Sequence, residues 1–489
     1  MSRDHRRPAA GAPHVTIVGG GISGLSAAWF LQQARQQGFP HLQYTLLEKA
    51  ARWGGKINTD AVAGFGDAPF IVEGGPDSFI TQKPWALQLA RSLGLEDRLL
   101  PTNDAHRNVF VLNHGRPTPL PDGLQLIVPT RFAPFIRSPL ISPLGKLRMG
   151  LELFLPARKN DEDESLAQFV TRRLGKEALD KIAEPLLSGI YNAEAEKQSL
   201  LATFPGLRQF EKEHGSLIKA MRALRQAAAR SRQDPAVEQR PPSMFLSFQN
   251  GMEELVTELS AQLEGDCRLD TAVQAIDTAC PGYELTLNDG SRLVTNAVVL
   301  AVPAYIAAQL LEPLAPDAAR LLEAIRYVST GTISLGFRAD QINHPLDGFG
   351  IVIPRTEERA INAITWSSTK FDRRAPEGYV LLRAFFGGSR TPHMMSTGDD
   401  ELLAVVRREI AAIMGITTPH LFHRIYRYFD ANPQYDVGHL SRVATIEASL
   451  PRCIHVTGSP YGGIGIPDCV YHAQVTVDSI LNGITTQAA

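Results

Sequence analysis

The sequence predicts an α/β protein, α+β overall, that combines a parallel sheet, a separate mixed sheet and a helical region. Three observations support this class. A buried strand at Val15 to Val18 runs into a glycine turn and then into a helical run. Between residues 306 and 444, apolar and polar residues alternate as they do in half-buried strands. The stretch from about 113 to 225 carries helix capping signals instead.

Length and charge exclude several classes of protein. A chain of 489 residues exceeds what one hydrophobic core usually serves, so several regions sharing a cleft are expected. The formal net charge of −2 gives no field that would recruit nucleic acid. The four cysteines lie far apart, which predicts no metal site and no disulfide framework, and favours a cytoplasmic protein.

The first glycine turn has the spacing G-x-G-x-x-G. Its first glycine permits the tight turn, the second lets the backbone approach a pyrophosphate, and the third allows close packing of helix on strand. A second strand, Gln43 to Leu47, ends at an acid suited to a ribose hydroxyl. The spacing therefore predicts a dinucleotide site, although a turn without a ligand is the alternative. The predicted contacts are Gly19, Gly21, Ile22, Ser23, Gly24, Glu48 and Lys49.

The segment after Glu48 indicates which dinucleotide the site binds. It reads Arg52-Trp53-Gly54-Gly55-Lys56 and resembles the second fingerprint of the FAD-dependent amine oxidase superfamily. A nicotinamide enzyme has no need of such a segment, whereas a plain glycine turn is the alternative interpretation. The two signatures together predict a Rossmann-like FAD-binding domain of the amine oxidase type.

A second glycine-rich turn lies near the other end of the chain. A strand from Cys453 to Thr457 enters the segment Gly458 to Pro467, and a helix from about Asp468 to Leu481 follows. The helix N-terminus would stabilise negative charge on a reduced flavin. A floppy glycine loop is the alternative. The predicted contacts here are Gly458, Ile464, Gly465, Ile466 and Pro467.

The segments between the two ends assign the remaining domains. A β-meander with a turn at Asn288-Asp289-Gly290 places Val273 beside the adenine, or makes it an ordinary strand valine. We predict an FAD-binding domain from 14–106, 243–305 and 445–486, a substrate-binding sheet domain at 306–444, and a disordered tail at 1–13. A linker is expected before Pro241-Pro242.

The helical subdomain is predicted at 113–225. Ser165 and Gln168 have the spacing of a capping box. Residues 117 to 156 combine eight prolines, apolar clusters and cations such as Arg131, Arg137 and Lys146. This composition suits either a core loop or a surface that lies on a bilayer, so peripheral contact at the inner face of the membrane is a candidate.

Five strings, in order along nearly the whole chain, resemble the oxygen-dependent porphyrinogen oxidases of haem biosynthesis. They are Glu73-Gly74-Gly75-Pro76-Asp77-Ser78-Phe79, Glu184-Pro185-Leu186-Leu187-Ser188-Gly189-Ile190-Tyr191, Ala202-Thr203-Phe204-Pro205, Pro433-Gln434-Tyr435 with Val437-Gly438-His439, and Gly465-Ile466-Pro467-Asp468-Cys469. The sequence is most similar to the bacterial coproporphyrinogen III oxidase branch, which shares Lys83. The protoporphyrinogen IX oxidases are the near relative and the alternative.

The resemblance implies six-electron oxidation of a porphyrinogen to the porphyrin, with FAD as cofactor, oxygen as acceptor and hydrogen peroxide as product. It implies that Gly189 and Ile190 face the macrocycle, a backbone carbonyl there orienting a pyrrole proton. Lys83 and Arg383 would meet propionates. Apolar walls are expected from Phe349, Ile351 and Trp366. Additional cofactor contacts are expected at Gly74, Gly75, Pro76, Asp77 and Ser78.

Other interpretations stay open at this point. An amine oxidase or a carotenoid desaturase would share both nucleotide signatures, and a binder without FAD could share the fold. We treat His439 and His472 as structural, since no acid or nucleophile partner is visible, and expect no covalent flavin at Cys469. Transfer of the product to the next enzyme of the pathway is a further implication of the resemblance.

Overall fold

The computed structural model describes residues 13–125, 127–231, 243–280 and 282–488. The predicted tail therefore lies outside the described residues except for Pro13, and so do residues 232–242, where the linker before Pro241-Pro242 was expected. The described chain folds around two sheets, here called sheet A and sheet B, and a helical region.

Sheet A is a parallel sheet of five strands that come from distant parts of the chain. Apolar runs buried on both faces are typical of such strands, and the residues of His14–Val18 are all buried. Two hydrophobic cores cover the faces of the sheet. The strand order across sheet A is Asp266–Arg268, Gln43–Leu47, His14–Val18, Ala297–Leu300 and Ile454–Val456.

Helices pack on both faces of sheet A. On one face, Ile22–Gln37 contacts the long last helix, Ile466–Ala488. Trp85–Ser92 and Glu253–Ala261 join the same core. On the other face lie Ala304–Leu311, Pro316–Glu323 and His439–Ser449, next to the meander Val273–Thr278, Tyr283–Leu287 and Arg292–Thr295. The first and last helices are therefore neighbours, which brings the two ends of the chain together.

Sheet B has seven strands and is mixed. One face packs on the helix Asp399–Met414, and the other faces the cleft between the regions. Its strand order is Phe422–Pro433, Tyr327–Arg338, Tyr379–Gly387, Ala363–Trp366, Gly348–Val352, Asn108–Asn113 and Arg116–Pro119. The last strand was not expected, since Arg116–Pro119 lies within the range 113–225 that was assigned to the helical subdomain.

Short pieces connect the two sheets. Two-stranded pairs form between Thr59–Val62 and Phe70–Glu73 and between Leu124–Gln125 and Val128–Pro129. A three-stranded sheet has the order Phe79–Ile80, Phe245–Phe248 and Leu99–Pro101. The helix Ser367–Lys370 follows the central strand Ala363–Trp366.

The helical region contains a core of its own. The predicted capping box is confirmed, because the Ser165 hydroxyl and the Gln168 side chain cap each other's backbone at the start of Leu166–Arg173. The fully buried Glu152 accepts hydrogen bonds from the amides of Leu217 and Ile218 at the start of another helix. The helices are Phe132–Arg137, Pro143–Gly150, Leu166–Arg173, Lys176–Ala178, Leu179–Ser188, Gly189–Tyr191, Leu200–Thr203, Pro205–His214 and Leu217–Ser231.

Candidate active site

The two glycine-rich ends of the chain meet at one cleft. The C-terminal turn approaches the start of the first helix at Gly458. A Cβ atom placed on Gly458 would lie 3.2 Å from the Oγ atom of Ser23. The R-x-G-G segment joins them, since the Gly54 amide donates to the Gly20 carbonyl at 2.8 Å. The turns predicted from opposite ends of the chain thus border the same space.

The glycines of the first turn differ in what surrounds them. A Cβ atom at Gly24 would lie 1.8 Å from the Gly19 carbonyl, so the helix packs on the strand only without a side chain. A Cβ atom at Gly21 would meet nothing within 4 Å. Gly21 therefore borders open space at the N-terminus of the helix Ile22–Gln37, where a pyrophosphate would be stabilised by free amides and the helix dipole.

Glu48 and Arg52 hold the backbone of this cleft. The Glu48 carboxylate accepts from the Gly20 amide at 2.6 Å and from the Ala50 amide at 2.8 Å. The Arg52 guanidinium donates to the carbonyls of Gly55 and Ile57 at 2.7 and 3.0 Å. Arg52 thus fixes the shape of the R-x-G-G turn, a role that the sequence did not predict. Lys49 is exposed.

Lys56 lies at the centre of the converging segments. Its ammonium group donates to the Ala431 carbonyl at 2.7 Å, and the residue as a whole keeps exposed surface. Desolvation of the ammonium group by the protein atoms around it lowers the pKa of Lys56. A Cβ atom at Gly75 would lie 1.8 Å from the Lys56 carbonyl, so the Gly74-Gly75 turn packs directly on this backbone.

Arg383 fixes the Gly74-Gly75 turn from the other side. This buried guanidinium donates to the carbonyls of Gly74 and Gly75 at 2.9 and 2.5 Å. Its exposed fraction is 3%, so the expectation that Arg383 meets a propionate is wrong. The reason is that Arg383 is occupied by these two buried carbonyls, of which that of Gly74 also accepts from the Thr332 hydroxyl at 3.2 Å.

A stacked pair of rings supports the C-terminal glycine loop. The Tyr435 hydroxyl donates to the Ser459 carbonyl at 2.5 Å and accepts from the Gly463 amide at 2.8 Å. The ring of His439 stacks on Tyr435 with 4.0 Å between centroids, and His439 Nε2 donates to the Tyr461 carbonyl at 3.2 Å. Burial lowers the pKa of His439 to about 4, so the imidazole is neutral, in keeping with a structural role.

The last helix begins at Ile466, two residues before the predicted start. Its first turn contains Asp468, whose carboxylate accepts from the Lys83 ammonium at 2.6 Å. An acid at this end stabilises the helix and offsets part of the positive potential that was expected to face the cofactor. Lys83 thus lies at the end of the cofactor cleft, and its side chain is 47% exposed.

A cavity of about 400 Å³ adjoins the cofactor cleft. One wall is the cleft face of sheet B, which contributes Val352, Ala363, Thr365 and Phe385. The opposite wall is the end of the helix Leu179–Ser188 with the residues that follow it. Asp77 lines the cavity and lies two residues after Gly75, so the cavity begins next to the cofactor cleft.

Gly189 and Ile190, which were expected to face the macrocycle, line this cavity. They follow a π-helix, Leu179–Ser188, that contains Pro185. Asn192 then adopts a left-handed conformation with φ of 51°, and its amide donates to the Gly189 carbonyl at 3.3 Å. This long contact leaves capacity on the Gly189 carbonyl for a second donor. Ile190 is 57% exposed.

The three apolar wall residues lie elsewhere. Ile351 and Trp366 are each 1% exposed and belong to the core between sheet B and the helix Asp399–Met414, so the prediction that they face the substrate is wrong. Side chains alternate along a strand, and Ala363 and Thr365 occupy the cavity face instead. Phe349 is half-buried and is not among the described residues that line the cavity.

Two cations of the cavity were missed by the sequence analysis. The Lys370 ammonium donates to the Asp77 carboxylate at 2.8 Å, and Arg390 pairs with the buried Glu184. Both lie about 200 residues or more from their partners in sequence. The available signal for Lys370 was its place at the end of the short helix Ser367–Lys370, because the connections that follow strands often contain functional residues.

Most of the chain matches one known protein family. Residues 22–481 match the family described as flavin containing amine oxidoreductase. This chain belongs to that family. The match begins just after Gly21 and covers the R-x-G-G segment, the cavity and the C-terminal glycine turn, and the predictions of an FAD cofactor and of an FAD-dependent oxidase are confirmed.

Relatives of known name extend along nearly the whole chain. The sequence is 34% identical over 475 residues to the coproporphyrinogen III oxidase of Bacillus subtilis, covering 96% of this chain and 98% of that protein. Identity to the coproporphyrinogen III oxidase of Staphylococcus aureus is 32%, with coverage of 96% and 98%. The chloroplastic protoporphyrinogen oxidase 1 of Arabidopsis thaliana is 30% identical, with coverage of 96% and 88%.

Solved structures agree on the fold. A crystal structure from Exiguobacterium sp. 255-15, provisionally named a protoporphyrinogen oxidase, superposes with a TM-score of 0.83 at 32% identity, covering 96% of this chain and 98% of the other. A putrescine oxidase variant superposes with a TM-score of 0.68 at 17% identity, covering 96% and 99%. The predicted fold class of the amine oxidase type is therefore confirmed.

Proposed function

We propose that this protein oxidises coproporphyrinogen III to coproporphyrin III, with FAD as cofactor and oxygen as acceptor, as a step of haem biosynthesis. The observation that carries the proposal is the full-length similarity to coproporphyrinogen III oxidases together with a cavity that adjoins the cofactor cleft. When bound, FAD supplies the electron acceptor and passes the electrons to oxygen, which gives hydrogen peroxide.

The residues of the chain would bind and orient the macrocycle. The flat cleft face of sheet B offers Ala363 and Phe385 to an apolar ring, while the Gly189 carbonyl can accept a hydrogen bond from a pyrrole N–H. Oxidation to an aromatic ring is strongly favourable, so orientation and exclusion of water are the main tasks of the protein. Val352 and Leu186 close the cavity with further apolar surface.

Charge bears on the choice between the two substrates. Coproporphyrinogen carries two more carboxylates than protoporphyrinogen, and one candidate to meet a propionate is Arg390 of the cavity lining, which pairs with Glu184; Lys370 of the same lining is already paired with Asp77. Lys83, near the cofactor end, is a second candidate for a propionate, because it pairs with Asp468 yet stays half exposed. Protoporphyrinogen IX is the alternative substrate, supported by the plant relatives.

Steady-state rates on both porphyrinogens test the proposal. The kcat/KM of the FAD-loaded protein is expected to be at least about tenfold higher for coproporphyrinogen III than for protoporphyrinogen IX. This ratio corresponds to about 1.4 kcal/mol of transition-state binding. We expect Lys83→Ala to lower kcat/KM for coproporphyrinogen more than for protoporphyrinogen, and Lys83→Arg to retain the preference. A preference for protoporphyrinogen in the wild type would reverse the substrate assignment.

Peripheral membrane contact is a second part of the proposal, supported by one apolar face. Over the described residues, no helix is long and apolar enough to cross a bilayer. Residues 132–154, however, present large apolar side chains to solvent, and Arg131 and Arg137 beside them are exposed. Such a face suits insertion among headgroups at the cytoplasmic side. The exposed apolar residues are Phe132, Ile136, Leu144, Leu147, Leu151 and Phe154.

Vesicle binding tests this second part. Leu144 and Phe154 are 79% and 82% exposed, so glutamates there should leave folding intact while removing apolar contact. We expect Leu144→Glu with Phe154→Glu to abolish co-sedimentation with anionic phospholipid vesicles and to leave kcat on dissolved substrate unchanged. Equal sedimentation of the variant and the wild type would contradict the membrane assignment.

Transfer of the porphyrin to the next enzyme of the pathway is a separate part of the proposal. The exposed region around Ile190, at the cavity, is the surface proposed for it.

A further inference from the structure

The substrate cavity contains one carboxylate among its described lining residues. This is Asp77, whose side chain is 22% exposed. Its Oδ1 accepts from the Ser78 hydroxyl at 2.6 Å, and its Oδ2 accepts from the Lys370 ammonium at 2.8 Å. The carboxylate is therefore fixed on one side and open to the cavity on the other, two residues after the Gly74-Gly75 turn of the cofactor cleft.

The surroundings of Asp77 keep this group ionised. Burial by itself would raise the pKa of Asp77, but the charges of Lys370 and Arg383 outweigh burial and hold the pKa well below its usual range. A carboxylate with so low a pKa is a poor proton acceptor. Its contribution in the cavity must therefore come from its negative charge.

Lys370 is itself held in a defined position. Its ammonium lies 5.1 Å from the ring centroid of Phe371 and 5.6 Å from that of Phe245, within cation–π range of both. Its exposed fraction is 15%, and the bond to Asp77 pairs two charges that burial would otherwise penalise. The pair is thus arranged before any ligand enters, as electrostatic stabilisation of a transition state requires.

Porphyrinogen oxidation creates positive charge on the substrate. A C–H bond at a saturated carbon between two pyrroles breaks, and the hydride leaves with both electrons to the bound flavin. The remaining cation spreads over the two adjacent rings and their N–H groups until one N–H proton leaves to solvent. Each cycle therefore removes one hydride and one proton, and the charge develops where a neighbouring carboxylate can stabilise it.

We propose that Asp77 is a catalytic residue that stabilises the cation developing on the macrocycle, and that Lys370 positions it. The inference rests on the proposed function, since it takes the substrate to be a porphyrinogen. It assigns Asp77 a role beyond the cofactor contact predicted from the sequence. Arg390, the other cation of the lining, pairs with Glu184 and does not contact Asp77 among the described bonds.

A cationic mimic tests the charge directly. A small dipyrrin changes its visible absorption on protonation, so the pKa of the bound dye can be titrated on the FAD-loaded protein. The wild type is expected to raise the pKa of the bound dipyrrin above its value in water, and Asp77→Asn to lower that pKa by at least about one pH unit. Lys370→Met should raise the pKa of the bound dipyrrin further, because the Asp77 carboxylate then lacks its counter-ion.

The rate of flavin reduction by coproporphyrinogen, measured without oxygen, is the second readout. Asp77→Asn should slow this step by about 100-fold to 1,000-fold, the range found for other preorganised charge-stabilising groups. The double variant Asp77→Asn with Lys370→Met removes both charges, avoids an unpaired buried cation, and should be as slow. Its melting temperature should match that of the wild type.

Two results would overturn the inference. The first is an Asp77→Asn protein whose bound dipyrrin and reduction rate both match the wild type, and the second is a double variant with the wild-type rate. Either would leave Asp77 as an anchor of the glycine turn. Failure of the proposed function is distinguishable, since the wild type would then oxidise neither porphyrinogen, whereas failure of the inference alone leaves the wild type fully active.

Discussion

The cofactor cleft and the substrate cavity are constructed in different ways. The cleft is shaped mainly by backbone, with Gly24 and Gly75 in positions that leave no room for a side chain. The cavity is shaped by side chains on alternate positions of a strand, such as Thr365, and by the end of a π-helix. A site shaped by backbone depends on a few glycines, whereas a site shaped by side chains depends on which strand face is buried.

The largest expected effect separates the two faces of one strand of sheet B. Trp366 is fully buried, so Trp366→Ala should lower the free energy of unfolding by about 3 to 5 kcal/mol. The matched change is Thr365→Ala on the cavity face, which should change stability by less than about 1 kcal/mol and act on kcat/KM instead. Urea unfolding and steady-state kinetics on both variants measure this; equal stability losses would contradict the assigned faces.

A second prediction separates cofactor binding from folding within the first turn. Gly21 has an ordinary extended conformation and free space around it, so Gly21→Ala should fold normally but block the approach of a pyrophosphate. We expect its FAD affinity to fall about 100-fold, or 2.7 kcal/mol, with little change in apoprotein stability. FAD titration and melting of the apoprotein measure the two quantities.

Gly24→Ala is the control for this prediction. It should destabilise the apoprotein itself, because the Cβ atom would collide with the Gly19 carbonyl. If both variants lost stability equally, Gly21 would have a structural role instead of bordering the cofactor.

A third prediction concerns pH and the loop at the C-terminal end of the cleft. His439 has a folded pKa near 4 against 6.5 when unfolded, so its contribution is present above pH 6.5 and is lost as pH falls toward 4. Between pH 7.5 and 5 this amounts to about 2 kcal/mol. FAD release, followed by its fluorescence, should therefore begin below pH 6.5, and His439→Gln should release FAD at a lower pH than the wild type.

The smallest expected effect is at the ring beneath this loop. Tyr435→Phe removes one donor and one acceptor to Ser459 and Gly463 while keeping the stack on His439. A loss of about 1 kcal/mol, or fivefold in FAD affinity, is expected. Unchanged affinity together with an unchanged flavin spectrum would mean that the loop is held by other contacts.

The comparison also explains how far the sequence could predict the structure. The turns at Gly19 and Gly458 were predicted because tight turns and close backbone approach require glycine at fixed spacing. The alternation between residues 306 and 444 predicted strands but not which face of Ala363–Trp366 is buried, because the helix Asp399–Met414 that covers this face lies far along the chain.

The partners of the cavity could not be predicted for the same reason. Lys370 and Asp77 lie 293 residues apart in sequence and meet only through the packing of sheet B on the cofactor cleft. Arg383 illustrates the converse, since its charge suggested a ligand while its burial assigns it to the Gly74 carbonyl. The role of a charged residue in a strand therefore depends on which residues surround it in the fold.

The most direct test of the account is rapid mixing of the FAD-loaded protein with coproporphyrinogen III in the absence of oxygen. The account predicts that the absorbance of oxidised flavin disappears and that one substrate molecule reduces about three flavins as porphyrin fluorescence appears. A flavin that stays oxidised with coproporphyrinogen and protoporphyrinogen, yet is reduced by an amine such as putrescine, would contradict it.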